Sequence, residues 1–203
     1  MVKRVNVLLL LSVLVTALPV AAQWQLDPER SNVEFISIKA GHVAEVHTFN
    51  EVQGAIADDG SVNIALMLDS VETLIPVRNE RMREFLFETT NYKDATIAAK
   101  VEPELLSGMQ AGEIRDITAE GRLTLHGATQ PLTLVMRVAR VSDDAVMVAS
   151  VKPLIVDAAK FGLDTGVEKL REIAGLVFFV GLVVYIASFF IGQDEPEVVI
   201  GES

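Results

Sequence analysis

The chain has 203 residues, of which 50% are hydrophobic, with a formal charge of −11 and a mean hydropathy of +0.38. This length suits one domain with short appendages. The apolar composition excludes a disordered chain, and the negative charge argues against binding to nucleic acid or to anionic lipid surfaces. The sequence has no cysteine, which excludes disulfides, thiolate metal sites and thiol catalysis.

The first 22 residues have the pattern of a secretory signal peptide. Lys3 and Arg4 form a short basic region, an apolar stretch follows from Val5 to Leu18, and small residues end the segment at Ala22. The apolar stretch is shorter than the ~20 residues that a membrane-spanning helix needs. We therefore expect cleavage after Ala22 and export of the remaining chain, the alternative being an uncleaved anchor helix.

The first part of the exported chain is predicted to be a meander of short strands. An entry segment at 24–31 leads to a strand at 32–38, whose apolar residues alternate imperfectly. A polar turn at 41–47 separates it from a strand at 49–56. A hairpin signal, Asp-Asp-Gly, then introduces a strand at 61–68.

The spacing of the apolar residues changes after this meander. Met82, Phe85 and Leu86 recur at helical intervals among charged residues, which predicts an amphipathic helix at 77–87. The remaining predicted elements are a strand at 95–101, a connection with a short helix at 105–114, a strand at 146–156 broken by Pro153, and a short helix at 166–174.

The clearest element is a hairpin between Glu120 and Val138. Leu123 and Leu125 alternate with polar residues, and four further apolar residues alternate after a central His-Gly-Ala-Thr-Gln-Pro stretch. Gly and Pro in that centre permit a chain reversal. Because a lone hairpin with one apolar face is not stable in water, it has to belong to a larger sheet or barrel.

Several short strands at regular spacing, with few helices, predict a mainly β sandwich or barrel. We count six to eight strands. A barrel of about eight strands has an interior that fits either packed side chains or one apolar ligand. The sequence pattern alone leaves both kinds of interior open.

An uncharged apolar run occupies residues 173–192 and shows no alternation. Its length equals a membrane span, and a soluble barrel strand should have a wet face. We therefore predict a transmembrane helix at 176–192, followed by an acidic tail at 193–203. Lys169 and Arg171 on the exported side oppose this reading, as does the content of β-branched and aromatic residues. The alternative is a strand that closes the barrel.

Signs of catalysis or metal binding are weak. His42, His47 and Glu45 can be drawn as a metal site, but nothing fixes the three or four ligands that zinc requires. His126 is expected to make a structural hydrogen bond in the hairpin turn. The sequence has neither a G-x-S-x-G elbow nor a phosphate-binding loop. We therefore predict a protein that is not an enzyme and has no metal and no resident cofactor.

Three arginines form a positive cluster on the predicted helix of this acidic chain. Arg78, Arg81 and Arg83 could meet the headgroup of a ligand at the mouth of a tunnel. Pairing with Glu80 and Glu84 along the helix is the commoner arrangement. The sequence does not choose between the two.

Five stretches resemble, in order, motifs of the YceI-like family of periplasmic lipid-binding proteins. They are WQLDPERSNVEF at 24–35, FNEVQGAI at 49–56, SVETLIPVRNERMREFLF at 70–87, GRLTLHGATQPLTL at 121–134 and FGLDTGVEKLREIAGL at 161–176. Each motif is weak alone, but five in the right order are specific. Lys93 departs from the family, which usually has Pro at that position.

The resemblance implies a lipocalin-like antiparallel barrel at 23–175 with one or two short helices. It further implies a periplasmic binding protein that holds a polyisoprenoid or quinone-like lipid in an apolar tunnel, for storage or transport. The predicted C-terminal helix would tether it to the inner membrane, and its relatives allow a homodimer. The alternative is a structural or interaction protein of the cell envelope with a filled barrel core.

Burial of a polyisoprene tail in a dry tunnel relieves roughly 25 cal/mol for each Å² removed from water. By parity along the strands and the helix, we expect thirteen residues to contact this lipid. They are Val33, Phe35, Phe49, Ile56, Ile64, Leu66, Met82, Phe85, Phe87, Leu123, Leu125, Leu134 and Met136.

Overall fold

The structure, a computed structural model, describes residues 22–39, 43–174 and 181–192. These ranges contain the strands β1 (Ala22–Lys39), β2 (Val43–Phe49), β3 (Val52–Ala57), β4 (Ser61–Met67), β5 (Val71–Glu72), β6 (Asp94–Lys100), β7 (Ile114–Leu125), β8 (Ala128–Ser142), β9 (Ala145–Ser150), β10 (Leu154–Asp157) and β11 (Gly181–Gly192). The helices are α1 (Pro76–Arg81), which continues as a π-helical segment (Met82–Phe87), α2 (Glu104–Ser107) and α3 (Asp164–Ala174). Residues 1–21 of the predicted signal peptide (1–22) and the predicted acidic tail (193–203) lie outside the described residues.

Eight strands form a closed antiparallel ring in the order β1-β3-β4-β6-β7-β8-β9-β11. The ring closes because β11 pairs with β1 as well as with β9. Closure gives every strand of the ring a partner on both edges, which removes the exposed edges that invite aggregation. The prediction of a mainly β, antiparallel barrel is confirmed.

Strand β1 is long because it serves both ends of the barrel. Residues 22–25 pair with β3, whereas Val33 to Lys39 pair with β2 on the same edge. Strand β11 follows the opposite edge of β1 over both halves. The predicted entry segment at 24–31 and the predicted turn at 41–47 are therefore wrong, since most of both are strand.

The hairpin of β7 and β8 confirms the predicted alternation, but its turn is shorter than predicted. Only His126 and Gly127 connect the strands, with φ angles of 50° and 75°. Two positive φ angles are the mark of the tight turn that suits the twist of a hairpin. Pro131 lies in β8, opposite Arg122. His126 Nδ1 lies 3.2 Å from the Phe161 carbonyl oxygen, so its predicted structural hydrogen bond is confirmed.

Residues 181–192 are a barrel strand, so the transmembrane helix predicted at 176–192 is wrong for these residues. Strand β11 pairs with β1, β9 and β10, and its Ile186 and Phe190 side chains are buried. An apolar run without alternation does not distinguish a buried strand from a helix, which is why the sequence misled. Among the described helices, none is both long enough and apolar enough to cross a membrane.

Helix α3 packs closely against the π-helical segment, and this contact depends on Gly166. A Cβ atom at Gly166 would overlap the Phe85 carbonyl oxygen and would lie 2.8 Å from Leu86 Cα. Both neighbours are backbone atoms, which cannot rotate away as a side chain could. The predicted helices at 77–87 and 166–174 are both present, with π-helical geometry in the second half of the first.

We expect Gly166→Ala to lower the free energy of unfolding by about 1–3 kcal/mol, the usual cost of overpacking. This loss should appear even though alanine has the higher helix propensity. Denaturant unfolding measures it, with Thr165→Ala on the exposed side of the same helix as the control. A Gly166→Ala variant as stable as the control would contradict the close contact.

Candidate functional site

The described residues line two apolar cavities of about 60 Å³ each in the barrel interior. The first cavity is lined by Val33, Phe49, Ile64, Leu66, Leu68, Phe87, Ala95, Ile97, Leu123, Leu125, Leu154, Val156 and Ile186. The second cavity is lined by Ile56, Val62, Ile64, Ile97, Ala99, Val101, Leu105, Leu106, Ile117, Ala119, Leu134, Met136, Val138, Val148, Ile186 and Phe190. The first reaches the π-helical segment through Phe87, and the second reaches α2 through Leu105 and Leu106.

Three isoleucines separate the two cavities. Ile64 of β4, Ile97 of β6 and Ile186 of β11 line both, and Ile64 and Ile97 are direct partners across their strands. We call these three residues the isoleucine partition. All three contribute side chains and not backbone, so these side chains would have to move for the two cavities to join.

Several lumen-facing residues are only half buried although they lie inside the barrel. Ile64, Leu66 and Ile97 line the cavities and retain accessible surface. In a close-packed core these side chains would be covered by neighbours on all sides. The interior is therefore apolar and incompletely filled.

Ten of the thirteen predicted lipid contacts line these cavities. They are Val33, Phe49, Ile56, Ile64, Leu66, Phe87, Leu123, Leu125, Leu134 and Met136. The structure thus brings residues from β1, β2, β3, β4, β7, β8 and the π-helical segment to one lumen. Their contact with a lipid stays a prediction.

The other three predicted contacts lie elsewhere. Phe35 is buried beside the first cavity, with its ring 5.1 Å from Phe49. Met82 is buried in the core without lining either cavity. Phe85 lines a surface groove between the π-helical segment and α3. The apolar stripe of the π-helical segment therefore contacts α3 as well as the barrel.

On four strands none of the lining residues was predicted from the sequence. Ala95, Ile97 and Ala99 alternate on β6, so parity along that predicted strand could have found them. Those of β9, β10 and β11 were harder to find. Pro153 interrupts the predicted strand at 146–156, which is β9 and β10 in the structure, and β11 was predicted as a helix.

Two residues of the possible metal site, Glu45 and His47, contact other side chains in the structure. Glu45 Oε2 lies 2.6 Å from Arg78 Nη1, and His47 Nε2 lies 2.7 Å from Ser37 Oγ. His42 lies outside the described residues. Burial, followed by the charge of Arg78, lowers the pKa of His47, so its imidazole is neutral at neutral pH. The described part of the chain holds no group of three metal-ligating side chains.

A closed antiparallel ring around an apolar, unfilled interior places the chain in the class of small β-barrels to which the lipocalins belong. Sequence comparison then identifies the family. Residues 24–184 match the YceI-like domain, and the chain belongs to this family.

Two proteins similar to this chain connect it to known relatives. Protein YceI of Shigella flexneri is 30% identical over 135 residues, which are 62% of this chain and 66% of that protein. The match thus spans just under two thirds of that relative. A polyisoprenoid-binding domain from Saccharophagus degradans, implicated in plant cell wall breakdown, has a TM-score of 0.83 and 34% identity, covering 85% of this chain and 100% of the domain.

A second similar structure supports the fold alone. BcnA of Burkholderia cenocepacia has a TM-score of 0.63 and 19% identity, covering 83% of this chain and 99% of BcnA. The family predicted from the motifs is confirmed by the domain match and by the Saccharophagus structure together.

If the lumen is unfilled, two Ile→Ala substitutions should lower the free energy of unfolding by different amounts. Ile56 also lines the second cavity, but its side chain is only 6% exposed, so Ile56→Ala should cost about 2–5 kcal/mol of unfolding free energy, the usual range for a buried isoleucine. Ile97→Ala should cost less, about 1–2 kcal/mol, because the half-buried Ile97 side chain already lacks neighbours on its lumen side. Denaturant unfolding of the two ligand-free variants gives both values. Equal losses would indicate that Ile97 sits in a filled core.

Proposed function

We propose that this protein is an exported, periplasmic lipid-binding protein that holds a polyisoprenoid or quinone-like tail in its barrel, for storage or transport. The observation that carries the proposal is the pair of apolar cavities that share the isoleucine partition. Membership of the YceI-like family and likeness to a polyisoprenoid-binding domain support it.

The shape of the interior suits a long flexible chain better than a compact ligand. Each cavity alone is small, at about 60 Å³, but the two are adjacent along the barrel. A tail that enters both has to pass between Ile64, Ile97 and Ile186, which must then move apart. The gain is the removal of apolar surface from water, on the tail and on the lumen wall together.

The side chains that line the two cavities can bind an apolar tail but offer no group for catalysis. The described residues around both cavities are all hydrocarbon or thioether side chains, with no titratable group among them. A tail held there meets no acid, base or nucleophile, and general acid–base catalysis requires such a group within hydrogen-bond reach. We infer a binding protein and not an enzyme.

Export is proposed from the sequence. The basic start, apolar stretch and small residues of the first 22 residues support a cleaved signal peptide. The absence of cysteine from the chain means that the fold needs no oxidation step after export.

A structural or interaction protein with a filled core is the second candidate. The small volume of each cavity favours it. In that function the partition would stay closed and the interior would take up no lipid. The two candidate functions therefore make different predictions for a bulky substitution inside the lumen. Such a substitution should weaken lipid binding only if the lumen holds the lipid.

Two neighbouring alanines of β6 provide the test. Ala99 lines the second cavity, whereas Ala98 is exposed on the outer face. Ala99→Phe should weaken retention of a radiolabelled polyisoprenoid quinone at least about ten-fold, because the phenyl ring occupies the space of the tail. Ala98→Phe should leave retention unchanged.

Thermal unfolding of both ligand-free variants serves as the control, since an overpacked Ala99→Phe barrel could lose stability as well. A folded Ala99→Phe variant that retains the quinone as well as Ala98→Phe does would rule out the lumen as the binding site. A wild-type protein that retains none would favour the second candidate.

A further inference from the structure

Strand β2 reverses the usual hydrophobic pattern of a barrel strand. Its His47 and Phe49 side chains are buried, and alternation places Glu45 on the same inward face. Val46, on the opposite face, is 58% exposed. A strand with one wet face normally has its apolar residues inside. Such breaks in the pattern concentrate at functional sites.

These inward-facing polar residues lie next to the first cavity. Phe87 and Phe49 line that cavity, with their ring centres 5.6 Å apart. Phe49 and Phe35 are 5.1 Å apart, and Phe35 and His47 are 5.0 Å apart. A continuous series of rings therefore leads from the cavity to the His47 imidazole.

Two buried nitrogens at this end have no hydrogen-bond partner among the residues that the structure describes. His47 uses Nε2 towards Ser37, but its Nδ1 is unpartnered. Arg78 uses Nη1 towards Glu45 and donates from Nη2 to the Thr73 carbonyl oxygen at 2.6 Å, but its Nε is unpartnered. Leaving buried polar groups unpaired is costly, so both nitrogens are expected to meet an oxygen in the working state.

The electrostatics of this end favour an uncharged ligand group. Glu45 neutralises Arg78 at 2.6 Å, and the lowered pKa of His47 keeps the imidazole neutral. Arg78 Nε can only donate a hydrogen bond. His47 Nδ1 also donates in the tautomer whose Nε2 accepts from the Ser37 hydroxyl. Both unused atoms therefore suit an acceptor oxygen.

We propose that this polar end, formed by Ser37, Glu45, His47 and Arg78, receives the uncharged oxygen-bearing headgroup of the lipid, such as a ring carbonyl or a hydroxyl. The tail then fills the two cavities beyond Phe35 and Phe49. This inference rests on the proposed function and adds to it the class of headgroup and the direction in which the lipid lies. A phosphate headgroup fits poorly, because it adds a charge where Arg78 is already neutralised.

The test compares His47→Phe with wild type on ligands that share one farnesyl tail. The probes are a farnesyl-substituted benzoquinone, the hydrocarbon farnesene and farnesyl monophosphate. His47→Phe should bind the quinone about ten-fold more weakly than wild type does, because one hydrogen bond to the headgroup is lost. Farnesene should bind both proteins within about two-fold, because phenylalanine keeps the ring contact with Phe35. The quinone affinity of His47→Gln, which keeps a polar group, should lie between the affinities of wild type and His47→Phe.

An equal change for the quinone and for farnesene would overturn the headgroup site while leaving the lipid-binding function intact. Tighter wild-type binding of the phosphate than of the quinone would also overturn it. If wild type binds none of the probes, the proposed function itself fails.

A spectroscopic measurement on wild type keeps the inference testable if His47→Phe does not fold. In protein labelled with ¹⁵N-histidine, the His47 Nδ1 resonance should shift on addition of the quinone and not on addition of farnesene. The same shift with both ligands, or with neither when both are bound, would contradict headgroup contact at His47.

Discussion

Closure of the ring depends on the pairing between β1 and β11, which runs from Trp24 opposite Gly192 to Ile36 opposite Val183. Without it both strands would present unpaired edges, and the inner faces of the other strands would open to water. The same pairing builds the site. Val33 of β1 and Ile186 of β11 are direct partners, and both line the first cavity. The wall and the lumen thus arise from one set of backbone hydrogen bonds.

The interior of this wall is apolar without being filled. Each half-buried side chain of the lumen forgoes contacts that a close-packed core would supply, so the ligand-free barrel gives up stability. A tail that filled the lumen, as we propose, would restore those contacts. By mass action it would also stabilise the folded state, because it would bind the folded protein and not the unfolded chain. The isoleucine partition lines both cavities, so it is the part of the wall that such a tail would have to displace.

Sequence reasoning was most accurate where the two faces of a strand meet different surroundings. In β7 and β8, polar residues such as Arg122 and Thr133 face water and Leu123 and Leu134 face the lumen, so the alternation is visible. It failed at β11, where an apolar run hides the period and the pairing partner lies far upstream in β1. It also failed at β2. There Glu45 and His47 point inward and Val46 points outward, which reads as a polar turn.

Nine predicted contacts reached the lumen because parity along a strand fixes the side of each residue, and Phe87 reached it from the helical stripe. The isoleucine partition and the polar end could not be predicted in this way. The partition joins residues of β4, β6 and β11, and only the closed ring determines that they meet. The polar end joins β1 and β2 to Arg78 of α1, and only the folded structure places that helix against these strands.

Native mass spectrometry of the full chain, purified from a bacterial envelope without detergent exchange, tests the central claim most directly. The account predicts a bound species heavier than the protein by the mass of one polyisoprenoid lipid, which organic extraction releases intact. A protein that carries only its own mass, and takes up no polyisoprenoid quinone when one is supplied, would contradict it.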